Sequence, residues 1–481
     1  MRPPRDNADP PQPHQRKKPL YRRRWIWITA AVLAAFWVCV GPWPVHTGGY
    51  EDTNYAEATF SRLDAINWQP TRGPLRAGAA KLDITPPVGV PLAGYGGRKP
   101  KESVGVRDRI FARAVSFSNG QSTVTILGGD ILLVTPNLRE AVLERLDVPA
   151  EEVYFTATHT HSGPGGYSQS FLYELVLGDY DESVAEQLAE GFAEAVRLSR
   201  TEMTDATLRF ARASARGASA GRYVRNRLDN SPGYAAAAAL VAQDSEGAPI
   251  GSVVVFPAHA TCLDDESHVL SGDYPGVMQS TLEDQAGGVV LFAAGAVGSM
   301  APVERKPRGE ELMQSATEDA LAMLRPLVIA DVEAPGKLEI SRHGPRRETE
   351  IISRRLRVDL PVQQYRISRR WRLSPLAAGY LHGRRTELHA VRIGPVVLLG
   401  MPCDYSGELA ADLDAQAGDV PLTPVVTSFN GDYVGYLLPR RRYWENHYES
   451  MDMNLFGPAC GEYFNALSLR AMRLMGDYAG K

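Results

Sequence analysis

The chain has 481 residues, of which 44% are hydrophobic, and its formal net charge at pH 7 is -4. This length and composition allow a substantial buried core and exclude a largely disordered chain. The small negative charge leaves no basic surface of the kind that binds nucleic acids, so we expect no nucleic-acid partner.

The amino-terminal 44 residues differ from the rest of the chain. Residues 1–24 are rich in proline and end in a basic cluster, and residues 25–44 are mostly apolar. The first segment is predicted to be a cytoplasmic tail, and the second a transmembrane helix that serves as an uncleaved signal anchor. A cleaved signal peptide and a twin-arginine export signal at Arg22-Arg23-Arg24 are the alternatives. The positive-inside rule then places the remaining chain outside the cytoplasm, in the periplasm or at the cell surface.

Residues 45–76 are predicted to be a juxtamembrane segment with one short helix, and residues 77–481 to be the main domain. Strand-like runs alternate there with helical patterns, and turns such as Asn119-Gly120 predict hairpins. The predicted helices are 55–66, 138–146, 183–198, 310–323 and 407–413, and the predicted strands are 81–87, 110–117, 123–127, 153–156, 235–242, 250–256, 289–292, edge strands within 337–362, a hairpin at 390–401, and 424–429. The alternation predicts an α/β fold in which helices flank a mixed β-sheet core. No internal repeat is evident.

Polar side chains follow four of these strands, where each strand ends. They are His159 and His161 after 153–156, His259 after 250–256, Asp404 after 390–401, and residues 430–436 after 424–429. Strand ends and their loops form the sites of α/β sheets, and two histidines, a carboxylate and another oxygen donor meet the needs of zinc. The alternative is that these segments are ordinary surface loops.

Four stretches together resemble a known family. They are Thr158-His159-Thr160-His161-Ser162-Gly163-Pro164-Gly165-Gly166, residues 255–261, residues 271–276, and the pair Tyr436 and Tyr448-Glu449. In this order they are similar to the amino-terminal catalytic domain of the neutral/alkaline, non-lysosomal ceramidases, over roughly residues 77–470. The resemblance implies a zinc-dependent amidohydrolase that cleaves an N-acylated sphingolipid such as ceramide through a metal-activated water.

The resemblance also assigns roles to individual residues. The implied Zn²⁺ ligands are His159, His259, Asp404 and Tyr436. Asp404 stands where the family has a glutamate, and Glu408 is the nearby alternative. The implied catalytic residues are His161 as hydrogen-bond partner or proton shuttle, with Tyr448 and Arg227 as stabilisers of the oxyanion.

One loop departs from the family pattern. The family's Gly-Asp-x-Ser-Pro loop is Gly298-Ser299-Met300-Ala301-Pro302 here, so Ala301 replaces the serine and Ser299 replaces the aspartate. A serine nucleophile is therefore not supported, and Ser299 is predicted to supply a hydroxyl to the same space.

The predicted partners are a lipid or small-molecule amide substrate and, through the anchor, a membrane. Two other functions stay open. The first is hydrolysis of a different amide or ester of the cell envelope. The second is a non-catalytic ceramidase-like domain that binds lipid or protein, as the changes at Ala301 and Asp404 suggest.

Overall fold

The computed structural model describes residues 20–99, 101–336, 338–381 and 383–477. Its helices are α1 Leu20–Cys39, α2 Asn54–Ala65, α3 Pro136–Glu144, α4 Phe171–Leu177, α5 Glu182–Thr201, α6 Asp273–Ala286, α7 Glu310–Val328, α8 Pro375–Leu381, α9 Gly407–Gln416, α10 Tyr448–Met451 and α11 Cys460–Gly476. Its strands are β1 Trp43–Pro44, β2 Thr71–Pro74, β3 Arg76–Asp83, β4 Gly105–Val106, β5 Phe111–Ser118, β6 Thr123–Gly129, β7 Val153–Phe155, β8 Thr204–Asp205, β9 Thr207–Ala215, β10 Arg225–Asn226, β11 Ala235–Gln243, β12 Pro249–Phe256, β13 Val269–Leu270, β14 Val289–Ala294, β15 Met300–Ala301, β16 Glu339–Arg346, β17 Glu348–Asp359, β18 Trp371–Arg372, β19 Arg385–Ile393, β20 Val396–Gly400, β21 Asp404–Tyr405, β22 Thr423–Thr427 and β23 Tyr436–Leu437. The predicted α/β fold with mixed sheets is confirmed.

Three five-stranded sheets form the body of the described chain, and four strands of each sheet share one topology. Their strand orders are β8-β3-β5-β6-β7, β16-β9-β11-β12-β14 and β2-β17-β19-β20-β22. In each sheet an antiparallel hairpin is followed by a helix and then by a strand parallel to the hairpin's second strand. A parallel pair needs such a crossover connection. The structure thus repeats one unit three times, although the sequence shows no repeat.

The ends of the three parallel pairs meet at one place. Ala294, the last residue of β14, donates its N–H to the carbonyl of Ala157 (3.1 Å), and its own carbonyl accepts the N–H of Ser428 (2.8 Å). These three residues belong to loops or strand ends of the second, first and third sheets. Backbone hydrogen bonds therefore bring the carboxyl ends of all three pairs together.

Helix α5 shows how sequence patterning builds the core. The Asp181 side chain caps its first turn by accepting hydrogen bonds from the N–H groups of Ser183 and Val184. Its apolar positions recur at helical spacing, and Leu188 and Phe192 are fully buried under the first sheet. Burial of each such side chain contributes about 1.5–3 kcal/mol. The prediction of a helix at 183–198 is confirmed.

The charged segment after residue 337 differs partly from its prediction. β16 lies at the edge of the second sheet, but β17 lies between β2 and β19 in the third sheet. Ile351 and Val358 of β17 are buried, and this apolar face attaches the strand to the core despite its arginines. Helix α11 was not predicted, because the tyrosines around it obscured its helical pattern.

The prediction of a transmembrane helix over residues 25–44 is wrong. Among the described helices, none is both long and apolar enough to cross a membrane. A helix does form here, but α1 ends at Cys39, and its apolar part is shorter than the ~20 residues that a span requires. The predictions of a signal anchor and of a membrane partner depended on this transmembrane helix and are therefore not supported either. Most of the predicted tail, residues 1–19, lies outside the described residues.

The predicted juxtamembrane segment packs against the body. Leu63 of α2 and Trp68 are buried in the core of the third sheet, and β2 pairs with β17.

Candidate metal and active site

His159 and His259 face each other with their Nε2 atoms 3.0 Å apart. The Nδ1 atoms lie 2.7 Å from the Leu132 carbonyl and 3.0 Å from the Val297 carbonyl, respectively. A carbonyl can only accept, so each Nδ1 carries a proton and each Nε2 presents a lone pair. Burial lowers the pKa of His159 to about 3 and the pKa of His259 well below its usual value. Two neutral imidazoles thus direct lone pairs into one space.

Asp404 adds a carboxylate to the same space. Its Oδ1 lies 3.5 Å from His159 Nε2 and 3.4 Å from His259 Nε2. This oxygen is buried and has no hydrogen-bond partner among the described residues, whereas Oδ2 accepts from the Tyr433 hydroxyl (2.7 Å). Burial raises the pKa of the Asp404 carboxyl to about 7. Such an unpaired buried oxygen is costly unless a cation or a proton compensates it.

Tyr436 completes the predicted ligand set. Its hydroxyl lies 3.2 Å from His259 Nε2, and β23 pairs with β21 in parallel so that Tyr436 is the register partner of Asp404. Two imidazole nitrogens, a carboxylate oxygen and a phenol oxygen therefore surround one point. This donor set and the unpaired Asp404 oxygen fit a divalent metal such as zinc. The structure brings the four predicted ligands together, and their roles stay predictions.

His161 lies next to this cluster. Its Nε2 is 3.3 Å from His159 Nε2, and the rings of His159, His161 and His259 could themselves hold a metal ion. Its Nδ1 is buried without a described partner, and burial lowers its pKa well below the usual value. The prediction of a neighbouring role for His161 is compatible with this position, but so is direct ligation.

The glycine-rich turn at residues 92–97 covers His161. A Cβ on Gly94 would lie 2.7 Å from the imidazole ring, and Gly94 has a φ of +106°, which favours glycine. Arg98, itself buried, donates to the His161 carbonyl (2.9 Å). The turn therefore fixes both the ring and the backbone of His161.

The local backbone also orients His159. The residue has a φ of 61°, unusual for a non-glycine residue, and its ring stacks on Phe429 with centroids 3.9 Å apart. Phe429 has a φ of 66° and follows β22. Two strained strand ends thus hold the first predicted ligand.

Arg227, Ser299 and Tyr448 lie on one side of the cluster. Arg227 Nη2 donates to the Tyr436 hydroxyl (3.3 Å) and pairs with Glu449 Oε1 (2.7 Å). Burial lowers the pKa of Arg227, but the electrostatic interactions with Glu449, Tyr436 and Tyr448 together more than offset this, so the net pKa is raised. Ser299 donates to Glu449 Oε2 (2.6 Å). The Tyr448 side chain is 44% exposed and its ring meets that of Tyr436 edge-on, with centroids 5.9 Å apart.

Glu408, the alternative ligand, points elsewhere. Its carboxylate binds Arg442 with an O–N distance of 3.0 Å.

Sequence reasoning missed several residues of the site. Tyr433 lies in the strand-end segment 430–436, and Glu449 follows Tyr448, so both were close to residues already singled out. Phe429 and Arg98 carried no signal, because an aromatic and an arginine in such segments are more often ordinary packing or surface residues.

The fold and the site define an α/β protein in which buried side chains able to ligate a metal ion cluster at the ends of parallel strands. Residues 75–304 match the family described as neutral/alkaline non-lysosomal ceramidase, N-terminal, which confirms the resemblance seen in the sequence. The comparisons thus relate this chain to the neutral ceramidases.

Two relatives illustrate the similarity. The chain is 27% identical over 220 residues to a neutral ceramidase of Mycobacterium tuberculosis, covering 42% of this chain and 34% of that protein. It is 26% identical over 249 residues to a neutral ceramidase of Pseudomonas aeruginosa, covering 48% and 37%. The aligned part therefore spans only about a third of the length of these relatives.

Solved structures share the fold over a larger part of the chain. The neutral ceramidase from Pseudomonas aeruginosa superposes with a TM-score of 0.67 at 19% identity, covering 84% of this chain and 74% of that one. A ceramidase complexed with C2 gives a TM-score of 0.66 at 20% identity, covering 83% and 75%.

Proposed function

We propose that this chain is a zinc-dependent hydrolase that cleaves the amide bond of an N-acylated lipid such as ceramide. The observation that carries the proposal is the convergence of two imidazole lone pairs, on His159 and His259, with the unpaired oxygen of Asp404. The neutral ceramidases among its relatives support the choice of substrate.

The choice of zinc follows from the donor chemistry. Zinc is commonly held by histidine nitrogens and carboxylate oxygens in a four-coordinate site, and the imidazoles here are neutral as ligation requires. A bound zinc ion supplies Lewis-acid activation of water and of a carbonyl group. His159, His259, Asp404 and Tyr436 would hold it.

His161 is proposed to move a proton during the reaction. Its buried Nδ1 has no described hydrogen-bond partner, so one ring nitrogen remains free to accept or return a proton. The turn at residues 92–97 holds the ring in place. A histidine fixed beside the reacting centre is suited to general acid–base work.

Tyr448 and Arg227 are proposed to stabilise the negative charge that develops on the carbonyl oxygen of the substrate. The phenol of Tyr448 lies between solvent and the Tyr436 ring, where a substrate can reach it. The Arg227 side chain is 15% exposed, and its guanidinium lies 5.8 Å from the Tyr448 ring centroid. Donors fixed in a buried site stabilise such charge strongly.

Ser299 is proposed to have no nucleophilic role. Its hydroxyl donates its proton to Glu449 Oε2, and that carboxylate also pairs with Arg227. A carboxylate neutralised by arginine is a weak base for activating a serine. The hydroxyl therefore serves to hold Glu449.

The test is to purify the chain, measure its metal content by mass spectrometry, and assay a panel of N-acyl lipids, soluble amides and esters with and without chelator. We expect zinc and chelator-sensitive cleavage of N-acyl lipids. His259→Ala and Asp404→Ala should lose zinc, whereas Glu408→Gln should retain it. Cleavage of esters or soluble amides alone would favour the envelope hydrolase, and retained metal without any turnover would favour a binding domain.

An extracytoplasmic location stays a prediction that cell fractionation can test.

A further inference from the structure

Glu449 lies beside the predicted ligands without touching the converging nitrogen atoms. Its side chain is fully buried, with 0% exposure, and it enters the site from α10. Oε1 lies 2.7 Å from Arg227 Nη2, and Oε2 accepts the Ser299 hydroxyl at 2.6 Å. Oε2 is therefore hydrogen-bonded, whereas Oε1 is held by the ion pair with Arg227 and accepts no hydrogen bond among the described residues.

Arg227 connects this carboxylate to the predicted metal ligands. The nitrogen that faces Glu449 also lies 3.3 Å from the Tyr436 hydroxyl, which in turn lies 3.2 Å from His259 Nε2. An arginine side chain is flexible and can adopt several rotamers, so fixing its guanidinium in one orientation costs side-chain entropy. The pairing with Glu449 selects the orientation in which Arg227 faces Tyr436.

Ser299 holds Glu449, the residue of this series of contacts that lies farthest from His259. Ser299 has a φ of 65°, its hydroxyl donates to Glu449 Oε2, and its carbonyl accepts the N–H of Arg227 at 2.7 Å. The loop that carries Ser299 also supplies the Val297 carbonyl to His259. The same loop thus braces both a histidine and the carboxylate.

A buried ion pair is by itself weak support for stability, because the desolvation of two charges offsets their attraction. The continuity of contacts toward the ligands gives this pair a more specific role. We propose that Glu449 is a positioning residue that, through Arg227, holds the Tyr436 hydroxyl toward the metal site, and that Ser299 holds Glu449. This inference rests on the proposed function.

The experiment measures metal binding directly, with Co²⁺ as the probe. The purified chain is stripped with chelator and titrated with Co²⁺, and affinity comes from chelator competition while visible absorption reports the ligand geometry. Glu449→Gln keeps the shape of the side chain but removes its charge. We expect ~10- to 100-fold weaker Co²⁺ binding and a changed absorption spectrum, the range found when outer partners of metal ligands are altered.

Glu408→Gln is the matched control, because Glu408 also pairs with an arginine but lies outside the cluster. It should bind Co²⁺ like the unaltered chain. If Glu449→Gln does not fold, Arg227→Lys replaces it, since a lysine has no planar fork to reach both Glu449 and Tyr436. Unaltered affinity and spectrum in the folded variant would overturn the inference. Failure of the unaltered chain to bind Co²⁺ would instead overturn the proposed function, and this inference with it.

Discussion

Gly298 lies directly against the backbone of Asp404, so that a Cβ at position 298 would come within 2.6 Å of the Asp404 carbonyl oxygen. The Gly298 N–H donates to the carbonyl of Tyr405 at 2.8 Å. The loop after β14 and the strand that carries the predicted carboxylate ligand are therefore in van der Waals contact through their main chains.

We expect Gly298→Ala to displace Asp404 or the loop. Overpacking of this kind costs about 1–3 kcal/mol, and the shift should also weaken metal binding. Thermal unfolding and Co²⁺ titration measure the two effects. Gly379→Ala is the control, because its Cβ meets open space within α8. It should leave the Co²⁺ affinity unchanged and raise stability slightly, by up to about 1 kcal/mol. Normal Co²⁺ affinity in Gly298→Ala would show that the contact does not set the position of Asp404.

Asp404→Asn should abolish the stabilisation of the chain by metal. In the metal-free chain the buried carboxylate oxygen is unpaired, so its replacement by a neutral amide should raise the melting temperature. The unaltered chain should gain stability when zinc is added, because ligand binding to the folded state stabilises it. The variant should not gain. Scanning calorimetry with and without zinc measures both, and an equal zinc-induced shift in the two proteins would contradict the ligand assignment.

The buried arginine of the first sheet should matter more to stability than an exposed one. Arg113 is 2% exposed and lies 3.1 Å from Asp130 Oδ2 and 3.0 Å from Glu283 Oε1. Arg113→Met leaves Asp130 without its cation, whereas Glu283 keeps Lys81 at 2.6 Å, and loss of the buried partner should cost about 3–5 kcal/mol. Arg109→Met, at a side chain that is 71% exposed, should cost less than about 1 kcal/mol. Denaturant unfolding compares them, and equal losses would refute the distinction.

His389 should make the chain less stable in acid. It is buried, its Nε2 donates to the Glu151 carbonyl (3.1 Å), and burial lowers its pKa to about 3. Between that value and the ordinary pKa of ~6.5 the unfolded chain binds a proton that the folded chain does not, so stability falls as pH falls through this window, by up to ~1.4 kcal/mol per pH unit. His389→Gln should remove the contribution of His389 to this pH dependence. Curves of unfolding free energy against pH that run parallel for the unaltered chain and the variant would contradict the assignment.

Most helices and strands, and the four strand ends that form the site, could be predicted from the sequence. An apolar run that is followed by a histidine or an aspartate is visible within a few neighbouring residues. His259 is an example, since it follows the apolar run of β12 by only a few residues. The meeting of Ala157, Ala294 and Ser428 could not be predicted, because it depends on backbone contacts between distant segments. Glu449 was missed as a site residue for a similar reason: a glutamate is normally solvated, and only its three-dimensional partners explain its burial.

The error at the amino terminus has a different cause. Hydropathy identified an apolar segment correctly, but it did not define where the helix would end. α1 ends at Cys39, and β1 then pairs with β18 of the folded body.

Each of the three sheets supplies a separate part of the candidate site. His159 follows the first sheet, His259 the second, and Asp404 and Tyr436 the third. A metal ion bound there would cross-link, in the folded state, segments that are far apart along the chain, and its binding free energy would add to the free energy of folding. No single unit contains enough ligands to bind the ion by itself. Metal affinity should therefore report whether all three units have assembled, and metal loading and completion of folding should occur together.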